Sequence, residues 1–199
     1  CMKYEQPEII LDHEVMAKYD IEEGYLFYPA QFWPHKNHTN LLLAMHELVK
    51  VYHCDLKLVL VGSDKGNLDY IKKLVGELGL TEYVRILGFV PLSDMQALYR
   101  KASMLVFVSF FGPDNLPPLE AFALGCPVIA SAVPGSEEQL GDSALFVDPR
   151  NPSEIATTIL QLSNDPLLRE ELINRGLERA HKWTGEKYVE GVFKILDEF

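Results

Sequence analysis

The sequence predicts an α/β fold built on a parallel sheet with helices on both faces. Three observations carry that expectation. Short runs are apolar throughout rather than alternating, as strands covered on both sides are. Between them, apolar residues recur at helical spacing. The runs empty into loops rich in Gly, Pro, Ser and Asn, after Ala30, Gly62, Gly88, Ser109 and Ser131. Strands alternating with helices make a parallel sheet, and in such sheets ligands bind beyond the carboxyl ends of the strands.

The elements follow in order. The first twenty residues are mixed, with a helix expected near Asp12–Tyr19, and read as a connector entering a domain. YLFYPA (25–30) has strand character, and Leu41, Leu42, Met45, Leu48, Val49 and Tyr52 mark a helix after it. LKLVLVG (56–62) is a strand. Leu68, Ile71, Leu74, Val75 and Leu78 mark the next helix, which Gly79 is placed to end. VRILGFV (84–90) is a strand, and Ser93 with Gln96 predicts a capping box for a helix reaching Arg100. MLVFVS (104–109), PVIAS (127–131) and ALFVD (144–148) complete a sheet of about six strands. Asn151-Pro152 and Asp165-Pro166 each open a helix, with a capping side chain ahead of a proline.

At 199 residues and 48% hydrophobic, the chain can bury one core. No run approaches transmembrane length and no signal peptide is read at the start. A formal charge of -11 argues against DNA or RNA as a bulk partner, and leaves an anionic ligand to local dipoles and one or two placed cations. Cys1, Cys54 and Cys126 have no metal spacing and read as reduced, buried thiols of a cytosolic protein.

The most informative stretch is FVSFFGPDNLPPLEAFALGCPVIAS (107–131): strand, loop, short helix, strand. A loop emptying into a helix start brings unpaired N–H groups and positive dipole together, which suits a phosphate. Glu120, in the first turns, can accept from neighbouring hydroxyls such as those of a ribose. Phosphates with a diol describe a nucleotide. In the loop AQFWPHKNHTN (30–40), Lys36 stands where a lysine reaches over phosphates, against the alternative of a solvated surface side chain. His35 and His38 flank it without a third metal ligand at useful spacing. Phe32 and Trp33 are read as packing. GSDKGN (62–67) is read as ordinary turn chemistry. GFVP (88–91) either offers its backbone to a base edge, with Phe89 and Val90 as apolar walls, or is a plain turn. Gly135-Ser136 opens a short helical turn beside the site.

Taken together, NLPPLEAFALGCPVIAS (115–131), FYPAQFWPHKN (27–37), VRILGFVP, GSEEQLGDSALFVDP and ERAHKWTGEKYVEGVFKIL resemble, in order and spacing, the retaining "group 1" family of GT-B glycosyltransferases. The resemblance covers roughly residues 20 to 195. It implies a Rossmann-like three-layer α/β/α sandwich forming the C-terminal, donor-binding half of a two-domain enzyme. A connector over 1–22, a nucleotide-sugar-binding domain over 23–184 and a helix over 185–199, packing on the absent N-terminal domain, are expected.

The implied activity is retaining transfer of a hexosyl unit from a GDP- or UDP-linked donor to an acceptor hydroxyl, in synthesis of a polysaccharide, glycolipid or glycan. The acceptor would be a sugar or a lipid-linked sugar. No cofactor and no obligatory metal are implied, and a cytoplasmic location is expected, with any peripheral membrane contact made through the other half. Matched by position, Lys36 neutralises the donor diphosphate, Glu120 binds the ribose, Leu116 and Pro117 face the diphosphate and sugar, and Phe89 and Val90 form the base-edge turn.

Two positions depart from the family pattern. Its first glutamate, eight before Glu120, falls on Gly112, and its arginine, five before Lys36, falls on Gln31. Gln31 is therefore a candidate donor contact in the arginine's place, and Asp114 or Asn115 a candidate for the sugar. Two other readings are a nucleotide-sugar-binding domain without turnover and a half of a sugar-nucleotide 2-epimerase. The second would require an acid/base cluster that the sequence does not show.

Overall fold

The computed structural model describes residues 11–111 and 115–182. Gly112, Asp114, Cys1 and the expected helix over 185–199 lie outside the described residues.

Among the described residues, six parallel strands form one sheet: β1 (Leu26–Pro29), β2 (Leu58–Val61), β3 (Val84–Gly88), β4 (Met104–Phe107), β5 (Val128–Ser131) and β6 (Ala144–Val147). Their order is β3-β2-β1-β4-β5-β6. The chain works outward to β3, then crosses back to start β4 beside β1, so the winding reverses between β1 and β4. That reversal leaves a crevice at the carboxyl ends of those two strands. β1, β2, β4 and β5 are apolar nearly throughout and almost wholly buried, as the unbroken hydrophobic runs require.

Among the described residues, eight α-helices connect or flank the strands: α1 (Asp12–Tyr19), α2 (His38–Lys50), α3 (Leu68–Glu77), α4 (Leu92–Lys101), α5 (Leu116–Ala123), α6 (Ser136–Leu140), α7 (Pro152–Asn164) and α8 (Pro166–Lys182). α2 packs with α3 and α7, α1 packs with α4, and α8 covers α5 and α7. Neighbouring residues of β1 show the two faces. The Phe27 ring meets Tyr99 of α4, while the Tyr28 ring meets His38 of α2. α1 places Val15 and Met16 in the core, so the entering segment is docked on this sheet.

Side-chain caps open α7 and α8. Asn151 accepts from the Glu154 N–H at 3.2 Å, and Asp165 from the Leu168 N–H at 2.9 Å, ahead of Pro152 and Pro166 as expected. Gly79, at φ 65, follows α3. The expected capping box at Ser93 and Gln96 does not form: Pro91 is the N-cap of α4, and Ser93 already lies inside the first turn. There its hydroxyl donates to Asp94 at 3.0 Å. The buried Asp94 carboxylate also accepts from Lys18 and Tyr19 of α1, at 2.6 and 2.7 Å, and is held below the usual carboxylate range by those partners against its burial. Cys126 is buried, its thiol pushed up to about 12 by desolvation, and Cys54 is half-buried; both are free. Among the described residues no helix is long and apolar enough to cross a membrane.

Candidate functional site at the switch point

The loops after β1 and β4 are laced together at the reversal. The Phe110 N–H and the Ser109 hydroxyl both donate to the His35 carbonyl, at 3.0 and 3.3 Å. The Asn37 amide donates to Val108 O at 2.9 Å and to Pro149 O at 2.7 Å, so a loop after β6 joins them. Asn37 is buried and takes a left-handed φ of 58, closing the 3-10 turn Pro34–Lys36 and starting α2. Sequence reasoning missed it. Its only sequence signal was an Asn at a helix start, which predicts a local cap rather than a clamp between three loops.

That turn positions Lys36. Its carbonyl accepts from the buried Tyr28 hydroxyl, and its ammonium sits 5.4 Å from the centroid of the Phe107 ring, at the end of β4. The side chain is half-buried and no carboxylate pairs with it among the described residues. Burial lowers its pKa from the ordinary lysine value, as desolvating a charge does. Gln31 is exposed, and its amide oxygen accepts from Trp33 Nε1 at 3.0 Å, within its own loop.

Phe32 is buried and stacks on His38, as packing requires. Trp33 is not packing: it is 41% exposed and stacks on His35, which meets Phe111 edge-on. No sequence rule separates these two adjacent aromatics. Phe32 forms a strand-like bridge with Asp64, and in extended backbone its neighbour faces the other way.

The loop after β2 behaves as turn chemistry. Asp64 accepts from the N–H groups of Gly66 and Leu68, at 2.8 and 3.2 Å, leading into α3. After β3, Phe89 is 79% exposed, but Val90 is 5% exposed and points into the core. Val90 is therefore no side-chain wall; only its backbone can front a ligand.

At the start of α5, Leu116 is exposed and Pro117 partly so. Pro117 and Pro118 occupy the second and third helical positions and have no N–H. The helix start thus offers fewer donors than a generic one, and its pull on an anion rests on the Leu116 N–H and the dipole. The same prolines deprive Asn115 of its usual capping partners. Asn115 Oδ1 is buried without a hydrogen-bond partner among the described residues, while its carbonyl accepts from Gln139 of α6 at 3.2 Å. Glu120 is exposed, and its Oε2 accepts from the Tyr99 hydroxyl at 2.6 Å.

Lys36, Asn115, Leu116, Pro117 and Glu120 therefore stand on the two loops and the helix that frame the β1/β4 crevice, with the Phe89 turn two strands away at β3. No three His, Cys, Asp or Glu side chains gather to hold a metal among the described residues. A cavity of about 390 Å³, lined by Met16, Tyr25, Lys57, Val59 and Arg85 among others, lies at the opposite, amino end of the sheet, away from these groups.

Residues 13–179 match the family described as glycosyl transferases group 1. The chain is 36% identical over 174 residues to the O-antigen chain mannosyltransferase B of Escherichia coli, covering 86% of this chain and 45% of that protein. Among solved structures it is similar to a sucrose-phosphate synthase from Thermosynechococcus elongatus, with a TM-score of 0.80 and 25% identity over 94% of this chain and 48% of that one. An Anabaena protein, HepE, solved in complex with UDP, shares the fold at a TM-score of 0.82 and 17% identity, over 98% of this chain and 54% of its own. The chain thus spans less than half of the mannosyltransferase it matches. It belongs to the group 1 glycosyltransferase family and is built as one Rossmann-like half of the GT-B fold.

Proposed function

We propose that this chain is the donor-binding half of a retaining glycosyltransferase that takes a hexosyl unit from a GDP- or UDP-linked sugar. One observation carries the reading. The lacing between the β1 and β4 loops holds the Lys36 ammonium, which no carboxylate pairs among the described residues, at the end of the strand that feeds α5. A diphosphate placed there meets the Lys36 charge on one side and the α5 dipole with the Leu116 N–H on the other. Its ribose then falls toward Glu120, and its base toward the turn at Phe89 and Val90. Names of similar proteins support the substrate class: the Escherichia coli relative is a mannosyltransferase and the Anabaena protein holds UDP.

In this reading the nucleoside diphosphate departs and negative charge grows on it. Lys36 and the helix dipole stabilise that charge in place, without an obligatory metal, and a group fixed before the reaction spends nothing on reorganisation. Asn115 Oδ1, an acceptor that its own helix cannot satisfy, would take a hydroxyl of the donor sugar where the resemblance expects a glutamate. Asp114 shares that role as a candidate. The acceptor, a sugar or lipid-linked sugar, would be held by the other half of a longer enzyme, whose closure positions the reactants and excludes water. A second reading, nucleotide-sugar binding without turnover, draws on Gln31, whose amide oxygen is already engaged by Trp33.

Calorimetric titration of the chain with UDP, GDP and ADP tests the binding reading. Lys36→Ala should weaken the preferred nucleoside diphosphate about 10- to 100-fold, the equivalent of one charge-assisted contact, and leave the bare nucleoside nearly unchanged. Equal losses for both ligands would rule out a phosphate role.

A further inference from the structure

Glu120 is an exposed carboxylate on a short helix, and such side chains ordinarily sample several rotamers. Here one of its oxygens is tied down from below. Tyr99, on the neighbouring α4, is 2% exposed and donates its hydroxyl to Glu120 Oε2 at 2.6 Å. The Tyr99 ring cannot easily swing away. It meets Phe27 of β1 edge-on, centroids 5.0 Å apart and planes at 90°. Phe27 is in register with Leu105 of β4, the strand that leads into α5. The ring therefore packs on β1, and its hydroxyl donates to the helix that follows β4. Oε1 has no partner among the described residues, and the residue is exposed.

We infer that Tyr99 is a positioning residue for donor recognition: it fixes the Glu120 carboxylate so that the open oxygen meets the vicinal hydroxyls of a ribose. The inference rests on the reading of Glu120 as the ribose group. A carboxylate held by one charge-assisted hydrogen bond before the ligand arrives loses less freedom on binding. Burial and the adjacent carboxylate both raise the Tyr99 pKa, so the phenol remains a donor across the working pH range. Because the ring does the packing and the hydroxyl does the aiming, the two roles can be separated by removing one atom.

The experiment compares wild type, Tyr99→Phe and Glu120→Ala, each titrated with UDP and GDP and with the 2′,3′-dideoxy form of each. Wild type should prefer the ribonucleotide. Glu120→Ala should lose that preference, and Tyr99→Phe should lose about 10-fold of it while binding the dideoxy form as wild type does. A general packing defect would weaken both forms alike. If Glu120→Ala loses the preference and Tyr99→Phe keeps it, the positioning role is wrong and the Glu120 reading stands. If Glu120→Ala keeps it, or no nucleotide binds, the ribose reading fails and this inference with it. A readout on the wild-type chain guards against a variant that misfolds. The Tyr99 hydroxyl proton should exchange slowly with solvent by NMR and move when the nucleotide is added; fast exchange would overturn the anchor.

Discussion

Acid should loosen the switch point through one residue, His38. It is the first residue of α2, 1% exposed, stacked on Phe32 at 4.5 Å and tilted against Tyr28 at 5.0 Å. Neither ring nitrogen has a hydrogen-bond partner among the described residues. Burial lowers its pKa to about 4, and the Lys36 charge adds to that. The Ala30 backbone opposes that lowering by more than the Lys36 charge adds to it. The folded chain thus holds His38 neutral down to about pH 4, while the unfolded chain protonates it near 6.5. Between those values the unfolded state binds the extra proton. Stability therefore falls as pH drops from 6.5 toward 4, and no loss remains above that window. The full gap corresponds to about 3 kcal/mol, of which about 2.5 kcal/mol should be expressed by pH 4.5.

The perturbation is His38→Phe, a ring of similar shape that fits the same stack and does not titrate. Urea unfolding of both proteins at pH 7.5, 6.0, 5.0 and 4.5 gives a difference in stability from which the carboxylates common to both drop out. That difference should shift by about 2.5 kcal/mol in favour of the variant between pH 7.5 and 4.5. Parallel curves would refute the reasoning and mean that the imidazole finds a partner or solvent when charged.

Two further outcomes follow from how closely the loops approach. A Cβ on Gly62 would lie 2.2 Å from the Ala30 carbonyl oxygen and 2.8 Å from Gln31 Cα, backbone atoms that cannot step aside. Gly62→Ala should cost about 3 kcal/mol in chemical denaturation and weaken nucleotide binding by displacing the Lys36 loop; a loss below about 1 kcal/mol would mean the loops are not this close. Asn37→Ala removes two hydrogen bonds, leaves Val108 O without its amide donor and puts Ala at φ 58, for about 3 kcal/mol together. Asn37→Asp should cost more in the same assay, because it turns a carboxylate toward two carbonyls. An aspartate variant as stable as wild type would disprove the clamp.

What the sequence made legible is what local chemistry controls. The strands showed because burial on both faces leaves no polar alternation, and the Asn151 and Asp165 caps because a cap bonds to the next turn of its own helix. Lys36 and Glu120 could be placed in the fold because strand ends and helix starts have fixed places in a parallel sheet. What remained hidden depends on partners distant in the chain. Asp94 is taken by Lys18 and Tyr19 of α1, and no reading of Ser93 and Gln96 alone could show that the box would not close. Val90 and Phe89 differ in exposure by the direction of one turn. Tyr99 had no signal at all: in the sequence it is one more apolar position on α4, and its role depends on where α5 comes to rest.

In the proposed reading, anion binding rests on one group. Gln31 brings no charge to the crevice, Pro117 and Pro118 remove two of the donors a helix start would offer, and His38 is neutral above about pH 4. The chain as a whole carries -11, so its long-range field repels a nucleotide rather than steering it in. Against this, the Lys36 ammonium is half-buried with no carboxylate beside it among the described residues, and a partly desolvated charge attracts a phosphate more strongly than the same charge in water. If Lys36 binds the donor as proposed, each element that holds it, the Tyr28 hydroxyl, the Asn37 amide and the His35 carbonyl laced to the β4 loop, would be as much a part of that recognition as the lysine itself.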